Sequence, residues 1–260
     1  MTGTVSDERD GAVAVITLRR PESLNAFDLE MVRSLAGAVE RARGDAAVRA
    51  VLLRAEGDHF CAGGDLAAMR AAADPSAYVR QLASAAGRAL LALRSAPQPV
   101  VAALKGAVAG GGVGLALGAD VRVAAEGTRF SLAFLRVGLS PDTGTTWMLP
   151  RLIGRARTME MAFSHEPVRA AEAHAWGLVH RVVPAADLEA EALRTARELA
   201  SLPPVAVREM KGLIDGAELD GLRAHLDADA EAVARAAATQ DFREGLDAFF
   251  GKRAPRFEGR

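Results

Sequence analysis

The chain has 260 residues, of which 50% are hydrophobic and 25% charged, and its formal net charge at pH 7 is −1. The length and composition predict a globular protein with one large domain, or one domain with a small appendage. The absence of a long basic run removes the electrostatic reason to expect a nucleic acid partner. Short, interrupted apolar runs predict no membrane-spanning segment.

Cysteine usage and the amino terminus indicate a compartment. Cys61 is the single cysteine, so no disulfide can form within the chain. A reducing environment is therefore expected. The first ten residues carry acids and no apolar core, unlike a secretory signal. We expect a cytoplasmic protein.

Strand-like and helix-like patterns alternate along the first two thirds of the chain. Runs rich in Val and Leu predict buried strands at residues 12–18, 48–54, 99–104 and 120–124, with a weaker one at 179–183. Apolar residues at helical spacing predict helices at 24–43, 78–93, 188–200, 205–214 and 217–250. This alternation predicts an α/β fold.

The carboxyl-terminal part differs from the rest because its strand signal is nearly absent. We divide the chain into a core domain, residues 1–200, and a C-terminal helical region, residues 201–260. The apolar face formed by Leu222, Leu226, Ala230 and Val233 needs a partner surface. That surface is either the chain's own core or a neighbouring subunit.

The first candidate motif is Gly57-Asp-His-Phe-Cys-Ala-Gly-Gly-Asp-Leu66, after the second predicted strand. Its paired glycines let the backbone pass close to a ligand, and Asp65 is placed to cap a helix that starts at Leu66. Read alone, the motif favours an ordinary strand-to-helix loop. His59 and Cys61 have no adjacent base or orienting group in the sequence, so we interpret both as structural.

The second motif is the glycine run between residues 105 and 118. Three consecutive glycines before an apolar segment predict an exposed helix start with free N–H groups, which favours anions. A dinucleotide fingerprint fits poorly because the G-x-G-x-x-G spacing is absent. Close helix–strand packing through Gly114 and Gly118 is the structural alternative. Both motifs follow strands of one predicted sheet, so two backbone donors would converge on one oxygen as an oxyanion hole.

The third motif is the turn Leu139-Ser-Pro-Asp-Thr-Gly-Thr-Thr-Trp147. Local sequence favours Asp142 as a helix cap, and capping lowers the pKa of a carboxylate. Proton transfer requires the opposite shift. Phe134 and Trp147 are candidates for an apolar substrate pocket around Asp142, although buried aromatic residues commonly belong to the core. The five histidines are scattered, so no metal site is predicted.

These segments resemble the enoyl-CoA hydratase/isomerase, or crotonase, superfamily over nearly the whole chain. The motifs that carry the resemblance are Arg20-Pro-Glu-Ser-Leu-Asn-Ala26, the loop 60–66, the glycine run 106–118, segments 130–141 and 149–155, Ala175-Trp-Gly-Leu-Val179 and Lys252-Arg-Ala-Pro-Arg-Phe257. The resemblance implies a spiral of ββα units whose C-terminal helices pack homotrimers or dimers of trimers. It also implies an acyl-CoA thioester as substrate, with coenzyme A arriving as part of it and no permanently bound cofactor.

The resemblance further implies roles for individual residues. The thioester oxygen would lie between the backbone N–H groups of Gly64 and Gly111. Lys252 would approach the phosphates of the coenzyme. The coenzyme A channel would be lined by Leu24, Ala26, Ala62, Asp65 and Leu66. Glu22 and Ala67 stand where many relatives carry Lys, which leaves an acyl-carrier-protein thioester open.

The departures from the family pattern indicate the reaction. Gly114 and Phe134 stand where hydratases of the superfamily carry their two glutamates, so water addition lacks its acid–base pair. Asp142 matches the acidic residue of the ring-1,2-epoxyphenylacetyl-CoA isomerase group. We therefore expect an isomerase that moves a double bond or opens a strained ring, with Asp142 as the proton shuttle.

Three alternatives remain open from the sequence. The first is an enoyl-CoA hydratase-like enzyme. The second is an aryl-CoA dehalogenase or hydrolase in which Asp142 is the nucleophile. Such dehalogenases place a Trp where Phe134 stands, which weighs against them. The third alternative is a non-enzymatic RNA-binding member of the superfamily. That role needs a basic helical face, whereas the predicted helix 24–43 mixes acidic and basic residues.

Overall fold

The computed structural model describes residues 3–260, which form two sheets covered by helices. The strands are β1 Val5–Asp10, β2 Val13–Leu18, β3 Ala50–Ala55, β4 Val100–Leu104, β5 Ala107–Ala109, β6 Val121–Ala125, β7 Arg129–Ser131, β8 Val168–Arg169 and β9 Arg181–Val183. Six of them form one sheet in the order β1-β2-β3-β4-β6-β9, and three form a second in the order β5-β7-β8. In the larger sheet β1 is antiparallel to β2, and every other neighbouring pair is parallel.

The four main predicted strands correspond to β2, β3, β4 and β6. Their side chains are buried because helices cover both faces of the sheet, as expected for parallel strands. Strand β1 escaped prediction because its sequence, VSDERD, reads as a charged loop. It lies at the sheet edge, where three of its side chains are exposed and such charges are tolerated.

The helices confirm most of the predicted periodic segments. They are α1 Leu29–Gly44, α2 Leu66–Ala71, α3 Pro75–Arg94, α4 Gly111–Leu117, α5 Thr145–Phe163, α6 Ala170–Ala175, α7 Leu188–Ala200, α8 Pro204–Ala237 and α9 Gln240–Phe250. The predicted start of the first helix at residue 24 is wrong. Leu24 and Asn25 have left-handed φ values of 55° and 53°, and Asp28 caps α1 by accepting a hydrogen bond from Met31 N–H.

The C-terminal helices pack onto the rest of the chain. Helix α8 lies along α3, and α9 lies on a 3-10 turn at Phe134–Val137. Val233 and Phe242 belong to the same core as the sheet, so the apolar face of α8 meets the chain's own core over its second half. The first half of α8 leaves apolar side chains exposed, including Leu213 at 86% and Ile214 at 66%. The division at residue 200 and the oligomeric state stay predictions.

The topology brings the two glycine loops together. Strands β3 and β4 are parallel neighbours, so the segments that follow them leave the same edge of the sheet. Cys61 forms an isolated parallel bridge with Val108, which joins the first loop to β5 directly. Among residues 3–260, no helix is long and apolar enough to cross a membrane.

Candidate active site

Hydrogen bonds to Phe27 hold the Gly64 loop in a conformation in which the backbone N–H of Gly64 has no acceptor among the described residues. Phe27 N–H donates to Gly63 O (2.8 Å), and Asp65 N–H donates to Phe27 O (3.0 Å). Phe27 therefore bridges the peptides on both sides of Gly64. Because neighbouring peptides of an extended segment point in opposite directions, the N–H of Gly64 faces away from Phe27. Within the described chain this N–H donates no hydrogen bond.

Gly111 supplies a second free donor. Gly110 precedes it with φ 52° and ψ −130°, a conformation that glycine adopts readily and that turns the chain into α4. The N–H of Gly111 belongs to the first turn of that helix and has no partner within residues 3–260. A Cβ on Gly63 would lie 3.4 Å from Gly111 N, so the two loops touch where both predicted donors are found.

Phe27 is a site residue that sequence reasoning missed. A Cβ on Gly111 would lie 2.5 Å from Cζ of its ring, and one on Gly64 would lie 3.9 Å from Cε2. The ring therefore lies beside both glycines. Phe27 lies at helical spacing from Met31 and Leu35, and for this reason the sequence pattern places it in the predicted helix 24–43. The signal that would have found it is Asn25, whose buried amide donates to Glu56 O and His59 O and so holds this segment out of α1.

The Asp142 turn packs directly against the start of α4. A Cβ on Gly111 would lie 2.9 Å from Oγ1 of Thr143, and one on Gly114 would lie 2.8 Å from Cβ of Thr143. Thr143 has a left-handed φ of 51°, which is rare for a β-branched residue. Strain of this kind costs about 1–3 kcal/mol and is concentrated at functional sites. The turn that carries Asp142 is thus adjacent to the Gly111 donor.

The helix-cap interpretation of Asp142 is wrong. The residue that caps α5 is Gly144, and no side-chain cap accompanies it. The Asp142 carboxylate accepts a hydrogen bond from Oγ1 of Thr143 (2.7 Å), and no other donor to it is found within residues 3–260. It is instead the backbone carbonyl of Asp142 that accepts from the N–H of Thr145 (3.1 Å) and from its hydroxyl (2.8 Å).

The environment of Asp142 favours its protonated form. Desolvation of the partly buried side chain raises its pKa to about 7, opposed by the Thr143 hydrogen bond and reinforced by the negative charge of Asp229. A carboxyl group that titrates near neutrality can both accept and return a proton. Burial of this kind is typical of catalytic carboxyl groups.

The raised pKa of Asp142 predicts a pH-dependent cost in stability. Between about pH 4 and pH 7 the unfolded chain releases this proton while the folded chain keeps it, so the free energy of unfolding falls as pH rises. Asp142→Asn removes this dependence and keeps an acceptor for Thr143. We expect the stability advantage of the variant over the wild type to grow by about 2 kcal/mol between pH 5 and pH 8. Urea unfolding at both pH values measures it, and an advantage that is constant with pH would contradict the assignment.

The predicted coenzyme A channel residues lie on two segments that meet at the Gly64 loop. Ala62 N–H donates to Leu24 O (3.1 Å), and Leu24 is 45% exposed. The Asp65 carboxylate caps α2, as predicted, by accepting from Ala67 and Ala68 N–H. It also accepts from Nη2 of Arg20 (2.9 Å).

Arg20 belongs to a motif of the resemblance, but the sequence analysis assigns it no role. Its other Nη atom donates to Ala26 O and lies 3.4 Å from Oδ2 of Asp28. Arg20 therefore ties the segment around Ala26 to the loop that ends at Leu66, the start of α2. The Asp65 carboxylate is engaged in capping and in this ion pair. Binding of coenzyme A by these residues stays a prediction.

The two predicted pocket aromatics have different neighbours. Phe134 is buried, and its Cζ lies 3.8 Å from the position of a Cβ on Gly110, the residue before Gly111. Trp147 instead faces α8, where its ring lies 5.3 Å from that of His225, centroid to centroid. The guanidinium of Arg151 covers the Trp147 ring at 3.6 Å.

Trp147 also lines a cavity of about 380 Å³. The cavity includes Asp120, which precedes β6, so it opens near the amino ends of the strands. Gly64, Gly111 and Asp142 do not line it. Contact of Trp147 with a substrate stays a prediction.

Lys252 lies at the exposed end of the chain, just after α9. That end approaches α2, because Arg70 of α2 pairs with Asp247 (3.2 Å) and lies 5.0 Å from the ring centroid of Phe250. Lys252 is therefore near the helix that follows the Gly64 loop. A contact of Lys252 with the coenzyme phosphates stays a prediction.

His59 and Cys61 have structural surroundings. His59 Nδ1 accepts a hydrogen bond from Ala107 N–H (2.9 Å), which ties the first loop to β5. Burial raises the pKa of the Cys61 thiol to about 12, so the reactive thiolate is not formed at neutral pH. In the part of the chain that the structure describes, no group of three or more His, Cys, Asp or Glu is arranged to hold a metal ion.

Two backbone N–H groups without partners among the described residues, on loops that touch, lie near a turn that carries a buried carboxyl group. Such a set of groups suits chemistry on a thioester enolate. A protein-family model described as "Enoyl-CoA hydratase/isomerase" matches residues 8–260. The chain belongs to this family. The crotonase-superfamily membership and the fold class inferred from the sequence are thereby confirmed.

Individual relatives of this family member cover nearly its whole length. It is 38% identical over 252 residues to the 1,2-epoxyphenylacetyl-CoA isomerase of Escherichia coli K12, which covers 95% of each chain. It is 41% identical over 257 residues to a probable enoyl-CoA hydratase of Rhodobacter capsulatus, covering 99% of this chain and 98% of that one. The family acts on acyl-CoA thioesters, and both reaction names occur in it.

A solved structure shows the same fold. An enoyl-CoA hydratase from Mycobacterium avium subsp. paratuberculosis K-10 superposes with a TM-score of 0.90 at 33% identity, over 99% of this chain and 100% of that chain. Family membership makes the chain an enzyme. Because hydratases and isomerases share the family, the reaction has to be argued from the residues of the site.

Proposed function

We propose that this enzyme is an acyl-CoA isomerase in which Asp142 moves a proton and the N–H groups of Gly64 and Gly111 hold the enolate oxygen. One observation carries the proposal. The Asp142 carboxyl group is not used as a helix cap, has a pKa near 7 and lies on the turn that packs against Gly111. It is therefore free to exchange protons beside the oxyanion donors.

The proposed reaction has two proton transfers. The ionised Asp142 removes a proton from the α or γ carbon, and the electron pair moves onto the thioester oxygen to give an enolate. The two N–H groups stabilise that oxygen, each by about 3–4 kcal/mol. Protonated Asp142 then returns the proton to a different carbon, which shifts the double bond. Opening of a strained epoxide ring starts from the same enolate: its electron pair returns towards the ring as the C–O bond of the epoxide breaks, and protonated Asp142 gives its proton to the released alkoxide oxygen.

Hydration is disfavoured by the packing at Gly114. Hydratases of the superfamily use two glutamates, and the resemblance assigns their positions to Gly114 and Phe134 in this chain. Any side chain at Gly114 would meet the backbone of Thr143, so this helix face has no room for a carboxylate while the Asp142 turn keeps its place. Asp142 alone supplies one acid–base group, which suffices for isomerisation but not for water addition with separate acid and base.

The site favours neither the nucleophilic alternative nor the RNA-binding alternative. A nucleophile acts only as the anion, whereas a proton shuttle needs both the ionised and the protonated form, and a pKa near 7 makes both forms available to Asp142. Helix α1 mixes acidic and basic side chains, with Arg41 and Arg43 engaged by Asp7 and Glu40. Such a face is a weak electrostatic match for RNA.

The substrate and the assembly follow as parts of the proposal. The name of the Escherichia coli relative supports a phenylacetyl ring epoxide as the acyl group, and the family description supports an enoyl group. A homotrimer or dimer of trimers is supported by the apolar residues left exposed on the first half of α8, such as Leu213. Light scattering of the purified protein tests the assembly. We place the enzyme in the cytoplasm on the composition alone.

The experiment that tests the proposal is a panel of coenzyme A thioesters incubated in D₂O. It includes 2-enoyl, 3-enoyl and ring-epoxide substrates, and an acyl-carrier-protein thioester as a matched carrier variant. NMR follows deuterium at the α and γ carbons, and mass spectrometry follows solvent ¹⁸O. Exchange with double-bond migration supports the isomerase. Incorporation of ¹⁸O into Asp142 during turnover indicates a nucleophile instead, and formation of a 3-hydroxy product indicates hydration.

A further inference from the structure

The buried carboxylate of Asp229, on α8, holds the start of α5, which is the role that the local sequence predicts for Asp142. Asp229 is only 6% exposed. Its Oδ2 accepts a hydrogen bond from Gly144 N–H (3.0 Å), and its Oδ1 accepts from Oγ1 of Thr146 (3.1 Å). A negative group at this position complements the partial positive charge of the α5 amino terminus. The helix that follows Asp142 is thus stabilised by an acid 87 residues further along the chain.

The surroundings of Asp229 fix its side chain. Nε2 of His225, one helical turn earlier on α8, lies 3.3 Å from Oδ1 of Asp229 and 2.7 Å from Oγ1 of Thr146. A carboxylate buried without partners is costly, whereas this one is held by two donors and faces His225. The Asp229 carboxylate and the Asp142 turn are therefore connected through Gly144 and Thr146.

We propose that Asp229 is a positioning residue for Asp142: from α8 it holds the turn in place through Gly144 and Thr146 and leaves the Asp142 carboxylate free to exchange its proton. The inference rests on the proposed isomerase function, because it concerns the same proton-carrying group. Asp229 does not itself touch the reacting atoms.

The charges around the turn indicate that Asp229 also acts on the ionisation of Asp142 through its charge. Burial is the main cause of the raised pKa of Asp142, and the negative charge of Asp229 raises it further. Burial also raises the pKa of Asp229, and the facing His225 opposes that shift and favours the charged carboxylate. Helix α4, which packs against the turn, has the uncharged sequence GGVGLAL. From α3 and α8 the side chains that surround Gly144 are apolar, namely Leu90, Leu222 and Leu226. Asp229 is thus the carboxylate that faces the turn from the helices packed on it.

The test measures the ionisation of Asp142 directly, without turnover. The full-length enzyme is labelled with ¹³C at the Asp carboxyl carbons, and the Asp142 resonance is identified by its loss in Asp142→Asn. In the wild type we expect a titration midpoint near 7. In Asp229→Asn, which is nearly isosteric, we expect the midpoint to fall by about one pH unit.

Asp227→Asn is the matched control. It changes the same residue type on the same helix, but at an exposed position. Solvent and salt screen such a charge, so the Asp142 midpoint should stay within about 0.3 units of the wild type. A folded Asp229→Asn with an unchanged midpoint would overturn the proposal, since a purely structural role predicts a loss of stability without a shift.

A second measurement does not depend on a variant that folds. In the wild type, the Gly144 amide is expected to exchange with deuterium at least about 100-fold more slowly than a free peptide, because Asp229 accepts its proton. Exchange at the free-peptide rate would also overturn the proposal.

The outcomes separate this inference from the proposed function. If the midpoint shifts in Asp229→Asn but the wild type isomerises no thioester, the role of Asp229 stands and the isomerase assignment fails. If the wild type isomerises thioesters and the midpoint does not shift, the assignment stands and Asp229 is not a positioning residue. With an isomerisable substrate, the acid limb of the kcat profile should move by the same amount as the midpoint.

Discussion

Asp142→Asn is expected to lower kcat for thioester isomerisation by about 10²–10⁴-fold while coenzyme A binding is retained. The amide cannot accept and return a proton, so the acid–base contribution is lost. The amide oxygen still accepts from Thr143, and the α5 start is held by Gly144 and Asp229, so the fold of the turn is kept. The loss should therefore fall on kcat rather than on binding.

Single-turnover kinetics with a reactive thioester and calorimetric titration with coenzyme A measure the two effects separately. Asp227→Asn, which lies on the exposed face of α8, is the control for loss of one negative charge. Near-wild-type turnover of Asp142→Asn would remove Asp142 from the mechanism. Loss of coenzyme A binding in parallel with kcat would show that the substitution had disturbed the binding site rather than the proton transfer.

Gly114→Ala is expected to reduce both stability and activity. The new Cβ would lie 2.8 Å from Cβ and Cγ2 of Thr143 and closer still to its carbonyl oxygen, so the turn has to move. Overpacking of a buried contact costs about 1–3 kcal/mol. A displacement of about 1 Å at a catalytic group costs about 10²-fold in rate. The loss of activity should therefore exceed what the fraction of unfolded protein explains.

Gly212→Ala is the matched control for this substitution. Gly212 also lies in a helix, α8, but a Cβ there meets nothing within 4 Å. Its replacement should leave activity unchanged and stabilise α8 by up to about 1 kcal/mol through the higher helix propensity of alanine. Thermal unfolding and kcat of both variants give the comparison. A fully active Gly114→Ala would contradict the close packing of α4 against the Asp142 turn.

The parts of the fold predicted well are those governed by local pattern. Strands β2, β3, β4 and β6 are apolar enough to be recognised, and α7 was predicted with its observed bounds. Strand β1 was missed because an edge strand tolerates charges that make it resemble a loop. The start of α1 was misplaced because Asn25 forms long-range hydrogen bonds that override the helical spacing of Phe27.

The site shows the same division between local and long-range information. The Asp65 cap was predicted correctly, since a cap is formed between residues two or three positions apart. The same local argument failed at Asp142, where Asp229 holds the helix start from across the fold. No sequence pattern around residue 142 reveals that a distant carboxylate replaces the local one.

The sequence by itself determined the α/β class, the two glycine loops and the family, because strand periodicity, glycine runs and motif order are properties of neighbouring residues. It also identified Asp142 as the carboxylate of interest. Only the tertiary structure decided that Asp142 is not a helix cap. That decision depends on burial, on the contact between Thr143 and α4, and on the charge of Asp229, which are set by residues far apart in the chain.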